Sequence, residues 1–410
     1  MKGTYISINV LMFIFALSNY LTVHSQKEPK EPLAKLWNIE NDEIPKYLSI
    51  EKKLTMVDGI LKPLLDDDNF GGTYIDVIHN MIFVSTLNFT KAEQIKNRTE
   101  IRQYTNLLNF TRAHNSTTRL NSRFQDINNL AKSYMPESCM GYINSKINNI
   151  IIASCNETRK ETSNIAFIKA INDRKYYPIF TYYSCLEPLN NEIPRLKSRD
   201  TVNRILAGDG LLLEDNLFCS VGFWTRDKQN ISYIATAGHC YEHGSYYLYP
   251  WNSKTPAALI GKMKVHFLEP IDFGLIKIKN NDTQPVPSVR NSDSERYKEL
   301  IIKDIISVSS NGAHLCSSGL ISHVKCGYVI TLNGFSSSGN SFRDNIFVAN
   351  IHNIPGDSGG PIFSYKSLTQ VSLNGIVSVS LFDDMNGIIG VTTISSILNA
   401  IENLEVVTVP

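Results

Sequence analysis

The chain has 410 residues, 42% of them apolar and 19% charged, which is enough to build two or more packed domains and is not the composition of a disordered protein. Its 40 basic and 39 acidic residues leave a formal net charge of +1, so no overall attraction to nucleic acid or an anionic membrane is implied. Partners have to be argued from local features.

Residues 1–25 open with Lys2, continue through the apolar run Ile6 to Leu17, and close on Val23 and Ser25. A charged start, a short apolar core and small residues before Gln26 read as a secretory signal peptide, and the run is too short to span a bilayer comfortably. No later stretch is apolar enough to cross one. The chain is therefore expected to be secreted and extracellular, without stable membrane association. Seven cysteines in that setting point to disulfide bonds. Sequons at Asn88, Asn97, Asn109, Asn115, Asn156, Asn230 and Asn281 would accept glycans in a eukaryotic secretory pathway, which makes the chain a candidate glycoprotein.

Residues 26 to 200 contain an internal echo. Thr73 to Val84 reads as strand, polar turn, strand, and Gly141 to Ile152 repeats the pattern about seventy residues later, so two similar half-domains are expected. Between them Lys91 to Leu130 is polar, with Ile101, Tyr104, Leu107 and Leu108 at helix-like intervals. Cys139 and Cys155 flank a turn near Lys146 to Asn148, which suggests a cross-strand bond and leaves Cys185 unpaired. The segment Leu196 to Asp209 is rich in basic residues and offers several points of cleavage.

Three later motifs carry chemistry. Ala235-Thr236-Ala237-Gly238-His239-Cys240 presents a histidine, Ile271-Asp272-Phe273-Gly274-Leu275-Ile276 opens an apolar strand with an acid, and Gly356-Asp357-Ser358-Gly359-Gly360-Pro361 sets a serine among glycines. Glycines around Ser358 allow a sharp turn that exposes the hydroxyl and aims the amides of Gly356 and Ser358 at one point, an oxyanion hole. The serine needs a base, for which His239, with Asp272 as its partner, is the candidate. Read singly, each residue has a plainer role: a tight turn, a packed histidine, a strand cap. His239 and Cys240 have no second Cys/His pair at zinc spacing, so neither a metal nor any other cofactor is expected.

The order His, Asp, Ser is the one used by double-barrel serine proteases. With Phe218-Cys219-Ser220-Val221-Gly222-Phe223 and Cys316-Ser317-Ser318-Gly319 to Cys326-Gly327, the chain from about Val202 onward resembles the chymotrypsin-like proteases, and more closely their bacterial-type branch of alpha-lytic protease and the streptogrisins. The resemblance implies an all-β double β-barrel protease domain over 201–410, with two six-stranded antiparallel barrels and a short C-terminal helix around Thr393 to Leu404. It also implies an α+β propeptide domain over 26–200 that acts as folding assistant and inhibitor. Disulfides Cys219–Cys240 and Cys316–Cys326 follow from the same likeness.

The implied function is a serine endopeptidase made as a proenzyme, or zymogen, with His239, Asp272 and Ser358 as the triad. Its partners would be protein or peptide substrates and its own propeptide, with no nucleic acid, and the enzyme would be a monomer. Counting from the motifs, Ser378, Val379 and Ser380 would pair with substrate backbone, and His352, Asn353 and Ile354 would line the specificity pocket. None of these supplies a carboxylate, which favours small to medium apolar side chains before the scissile bond, although Asp383 or Asp384 lies within reach. Relatives carry a cysteine near His352 bridged to one near Phe382-Asp383. Neither cysteine is present, so the loop Leu381 to Asn386 is expected to be more mobile. Relatives also neutralise the aspartate before the nucleophile with an arginine where this chain has Ser317, which leaves the partner of Asp357 open; a new amino terminus at Ile205, freed by cleavage after Arg204, is one candidate. A catalytically silent binding protein on the same fold, or a serine esterase, stands as the alternative.

Overall fold

The computed structural model describes residues 29–185, 203–213, 217–253, 255–279 and 282–410. The signal-peptide reading at 1–25, the Asn281 sequon and the basic cleavage points Lys197 and Arg199 lie outside the described residues.

The N-terminal region repeats one unit twice. Strands Phe70–Asp76 and Met81–Thr86 form an antiparallel hairpin, helix Phe89–Lys96 follows, and strand Leu108–Arg112 returns parallel to Met81–Thr86. The second copy is Cys139–Asn144 with Asn149–Cys155, helix Thr162–Asp173, and Ile179–Tyr183 parallel to Asn149–Cys155. The two hairpins coincide with the echo in the sequence. Leu108 opens a strand rather than extending a helical stripe, because backbone pairing with Ile82 captures it. Helix Thr117–Tyr134 connects the copies. Ser116 caps it by accepting from the Arg119 amide, and Leu120, Phe124, Ile127 and Ala131 form its buried face.

The remaining residues fold into two β-sheets. The first contains the strands Gly210–Leu212, Phe218–Ser220, Phe223–Arg226, Ser232–Thr236, Tyr246–Tyr249, Ala258–Phe267 and Phe273–Ile278, and it is completed at one edge by Glu405–Val406. The second runs through His314–Gly319, His323–Ser337, Phe342–Ala349, Pro361–Tyr365, Gln370–Phe382 and Gly387–Thr393, with Glu299–Ile305 and Thr283–Arg290 beside them. Most pairs are antiparallel, but Glu299–Ile305 lies parallel to Gln370–Phe382, and Asn203–Ala207 lies parallel to Thr283–Arg290. The last helix is Ile394–Ala400, capped by Thr393, whose hydroxyl accepts from the Ser396 amide.

The N-terminal region extends the second sheet. Strand Cys139–Asn144 pairs with His323–Ser337, matching Gly141 with Phe335 and Tyr142 with Gly334. A Cβ on Gly141 would come within 2.2 Å of the Phe335 ring, so glycine is what lets that ring lie on the strand. Three buried acids on the N-terminal side also reach across. Glu31 accepts from the Ser294 hydroxyl (2.7 Å), Glu51 from the His314 amide (2.7 Å) and ring Nδ1 (2.5 Å), and Asp58 from the Ser310 hydroxyl (2.6 Å). Each polar group is thereby paired where water is excluded.

Three disulfides join Cys155 to Cys185, Cys219 to Cys240 and Cys316 to Cys326, and Cys139 is a buried free thiol pushed up to about 12 by its burial. The expected Cys139–Cys155 bond is therefore corrected. In the hairpin register Cys139 faces Ser154, so Cys155 falls one position away and points to the opposite face. There the parallel strand Ile179–Tyr183 brings Cys185 beside it. Among the described residues no helix is long and apolar enough to cross a membrane.

Candidate active site

The site lies where the two sheets meet. His239 sits in the single helical turn Gly238–Cys240 that follows strand Ser232–Thr236, and the bond between Cys240 and Cys219 fixes that turn to a neighbouring strand. Asp272, just before Phe273–Ile278, is completely buried. Its Oδ1 accepts from the His239 amide at 2.9 Å and its Oδ2 faces His239 Nδ1 at 2.7 Å, so the carboxylate selects the tautomer with the proton on Nδ1. Burial alone would raise the Asp272 carboxyl, but the charge and hydrogen bonds of His239, helped by Arg343, outweigh it and hold the group below the usual carboxylate range.

Ser358 is placed by its backbone. The Ser220 amide donates to Ser358 O (2.8 Å), the Ser220 hydroxyl donates to Gly356 O (2.8 Å), and Cys240 Sγ lies 3.9 Å from Ser358 O. Gly356 has φ +102° and Gly359 has φ +80°, conformations that strain any other residue; a Cβ on Gly359 would sit 2.1 Å from Thr236 Oγ1. Among the described residues the amides of Gly356 and Ser358 donate to no protein acceptor, whereas the Asp357, Gly359 and Gly360 amides all do. No hydrogen bond joins Ser358 Oγ to His239, and the His239 side chain is 36% exposed. The arrangement presents an open imidazole, a half-buried hydroxyl on a sharp turn, and two amides without acceptors.

Residues 228–401 match the family described as Trypsin. The C-terminal half is a chymotrypsin-like domain of the trypsin family. Solved structures similar to this chain include Thermobifida fusca protease A (21% identity, covering 50% of this chain and 99% of that one, TM-score 0.42). Nocardiopsis protease (20%, 50% and 100%, TM-score 0.42) and Cellulomonas bogoriensis chymotrypsin (18%, 50% and 100%, TM-score 0.41) are also among them. No curated protein sequence matches the chain.

Within this trypsin-family domain several residues occupy places that their spacing did not reveal. Ser378 is buried and its hydroxyl donates to Asp272 Oδ2 at 2.8 Å. The register slips between Val377 and Val379, and that bulge turns Ser378 inward. Val379 and Ser380 remain half-buried on the same strand. Asn353 is buried, with Oδ1 accepting from the Ser317 hydroxyl (2.8 Å). Ile354 gives its amide to Asp357. His352 Nε2 lies 2.8 Å from the Asp383 carbonyl, and that bond ties down the loop where relatives carry a disulfide. Asp383 is not free to enter the pocket, because its carboxylate accepts from the amides of Met385 and Asn386, which hold it below the usual range.

Asp357 is completely buried and accepts from the amides of Ile321 (2.9 Å), Ser322 (3.0 Å) and Ile354 (3.1 Å). Burial pushes its carboxyl above the usual range in spite of these bonds. Ile205, the residue expected to pair with it, is buried inside strand Asn203–Ala207, and the preceding Arg204 is forked onto Glu299 at 2.5 and 2.8 Å. In the uncleaved chain the carboxylate is thus held by these amides, with Ile205 placed in a strand. Ser220 was missed altogether; a small polar residue after a strand cysteine carries no signal of its role at the nucleophile loop.

Proposed function

We propose that the protein is a secreted serine endopeptidase made as a proenzyme, with a signal peptide at 1–25, a propeptide at 26–200 and a protease domain at 201–410. The observation that carries this reading is the His239–Asp272 pair standing by a glycine-framed Ser358 whose loop leaves two amides without protein acceptors. In the reaction, Asp272 holds the Nδ1 proton, His239 Nε2 takes the proton from Ser358 Oγ, and Oγ attacks the peptide carbonyl to give an acyl-enzyme. The amides of Gly356 and Ser358 stabilise the oxyanion, and His239 returns its proton to the leaving amine.

The propeptide role is supported by the shared sheet, the three buried acids at the boundary, and the Cys185 amide, which donates to Phe382 O (2.8 Å) at the end of the strand that carries Ser378. The test is fluorophosphonate labelling and amino-terminal sequencing of the secreted protein beside Ser358→Ala. A labelled species that begins between 200 and 205 and vanishes in the variant supports the reading; an unlabelled, full-length product in both overturns it.

A further inference from the structure

The triad's aspartate has a cationic neighbour that no sequence motif announces. Arg343 is the second residue of the return strand Phe342–Ala349 of the long hairpin in the second sheet, yet its side chain is buried against the first sheet's loop. Its Nε donates to Leu268 O at 2.9 Å, and its Nη2 lies 3.9 Å from Asp272 Oδ2. One step before it, the Phe342 amide donates to Glu269 Oε1 at 2.5 Å. The hairpin therefore grips the segment that leads into Asp272 at two consecutive residues. The guanidinium meets a carbonyl and a carboxylate with different nitrogens, Nε and Nη2.

The same hairpin is clasped from the other side by the N-terminal region. Phe124 of helix Thr117–Tyr134 stacks on Phe335 with centroids 5.8 Å apart, and Phe335 stacks on Phe342 at 5.6 Å. Strand Cys139–Asn144 pairs with the hairpin beneath Phe335. Three rings thus run in sequence from the N-terminal helix to the residue preceding Arg343.

We propose that Arg343 is a positioning residue for Asp272, and that the N-terminal region holds Arg343 in place through the Phe124–Phe335–Phe342 stack. The inference rests on the reading of Asp272 and His239 as catalytic partners. The groups facing the Asp272 carboxylate are His239 from the helical turn, Arg343 from the hairpin and the neutral Ser378 hydroxyl, with Glu269 adjacent on its own loop and bound to the Phe342 amide. A buried cation at this point opposes a second positive charge on the imidazole. Removing it makes the imidazole easier to protonate, so the acid side of any His239-dependent process moves to higher pH.

The experiment uses the full chain carrying Ser358→Ala, which cannot cut itself, with histidine titration followed by NMR and folding checked by circular dichroism. Arg343→Gln is expected to raise the pH midpoint of His239 by on the order of half a unit or more, while Arg343→Lys, which retains the charge, stays near the parent. Phe124→Ala is expected to raise the midpoint by less, and to add nothing in the Arg343→Gln background. Phe124→Leu, which keeps the apolar volume, serves in its place if the alanine variant does not fold. An unchanged midpoint in Arg343→Gln overturns the role of Arg343; no shift in the Phe124 variant, or a fully additive one, overturns the link to the N-terminal region. Fluorophosphonate labelling of the same chain with Ser358 intact is read separately. Absence of labelling there counts against the protease reading and leaves the titration result standing.

Discussion

Asp272 and Asp357 are both sealed from solvent, both accept several hydrogen bonds, and yet they are displaced in opposite directions. Asp272 faces an imidazole and a guanidinium and is held low; Asp357 faces only neutral donors, backbone amides and the Ser322 side chain, and is pushed high. The contrast teaches that hydrogen bonds from neutral donors do not fully replace the water lost on burial, whereas nearby positive charge does. It also separates two tasks. A carboxylate that orients a base has to stay ionised, while one that pins a loop can do so through its geometry.

The largest break in the comparison is Asp272→Asn. It keeps the shape but offers the imidazole the wrong partner, and is expected to lower kcat by about 10⁴ in peptide hydrolysis by the activated enzyme. Asp357→Ala releases the amides of Ile321, Ser322 and Ile354 together and loosens the turn that carries Gly356, with an expected loss of about 10² in kcat and KM changed much less. Ser378→Ala takes one hydrogen bond from Asp272 and leaves its charged neighbours, so a loss of about tenfold in kcat/KM is expected.

The smallest effect sharpens the contrast most, in denaturant titrations of the Ser358→Ala chain across pH. For Asp272 the folded carboxyl lies below its unfolded value, so its stabilisation is present above about pH 4 and is lost as pH falls through the folded value; Asp272→Asn should erase that acid-side loss. For Asp357 the folded carboxyl lies above its unfolded value, so the folded chain loses stability as pH rises from about 4 through the folded value. Asp357→Asn should gain on its parent over that window. Slopes of the same sign for the two residues would remove the contrast.

The parts of this molecule that were legible in the sequence are those where chemistry and chain coincide. His239, Asp272 and Ser358 each sit in a short motif whose plainer reading weakens once the three stand in order, and the paired hairpins of the N-terminal region repeat a local pattern. What escaped depends on pairs brought together by the fold. Arg343 meets Asp272 only because a hairpin of one sheet leans over a loop of the other. Ser378 was placed on the correct strand, but the contact of its hydroxyl with Asp272 was not foreseen, since a one-residue bulge decides which way its side chain points. The Cys155–Cys185 bond needed the parallel return strand, which local reading had not supplied. The amides that hold Asp357 come from Ile321, Ser322 and Ile354, whose approach no local motif signals.

The pairing of Cys139–Asn144 with His323–Ser337 has a consequence for what remains if the two halves part. Residues Gly334 to Ser337 would become a bare sheet edge, with Phe335 uncovered and the hydroxyls of Ser336 and Ser337, now sealed without partners, opened to water. An exposed edge with an aromatic at its centre is a template for any other extended chain, including a second copy. In the intact chain the N-terminal strand covers that edge, and its departure would trade one intramolecular partner for competition among many.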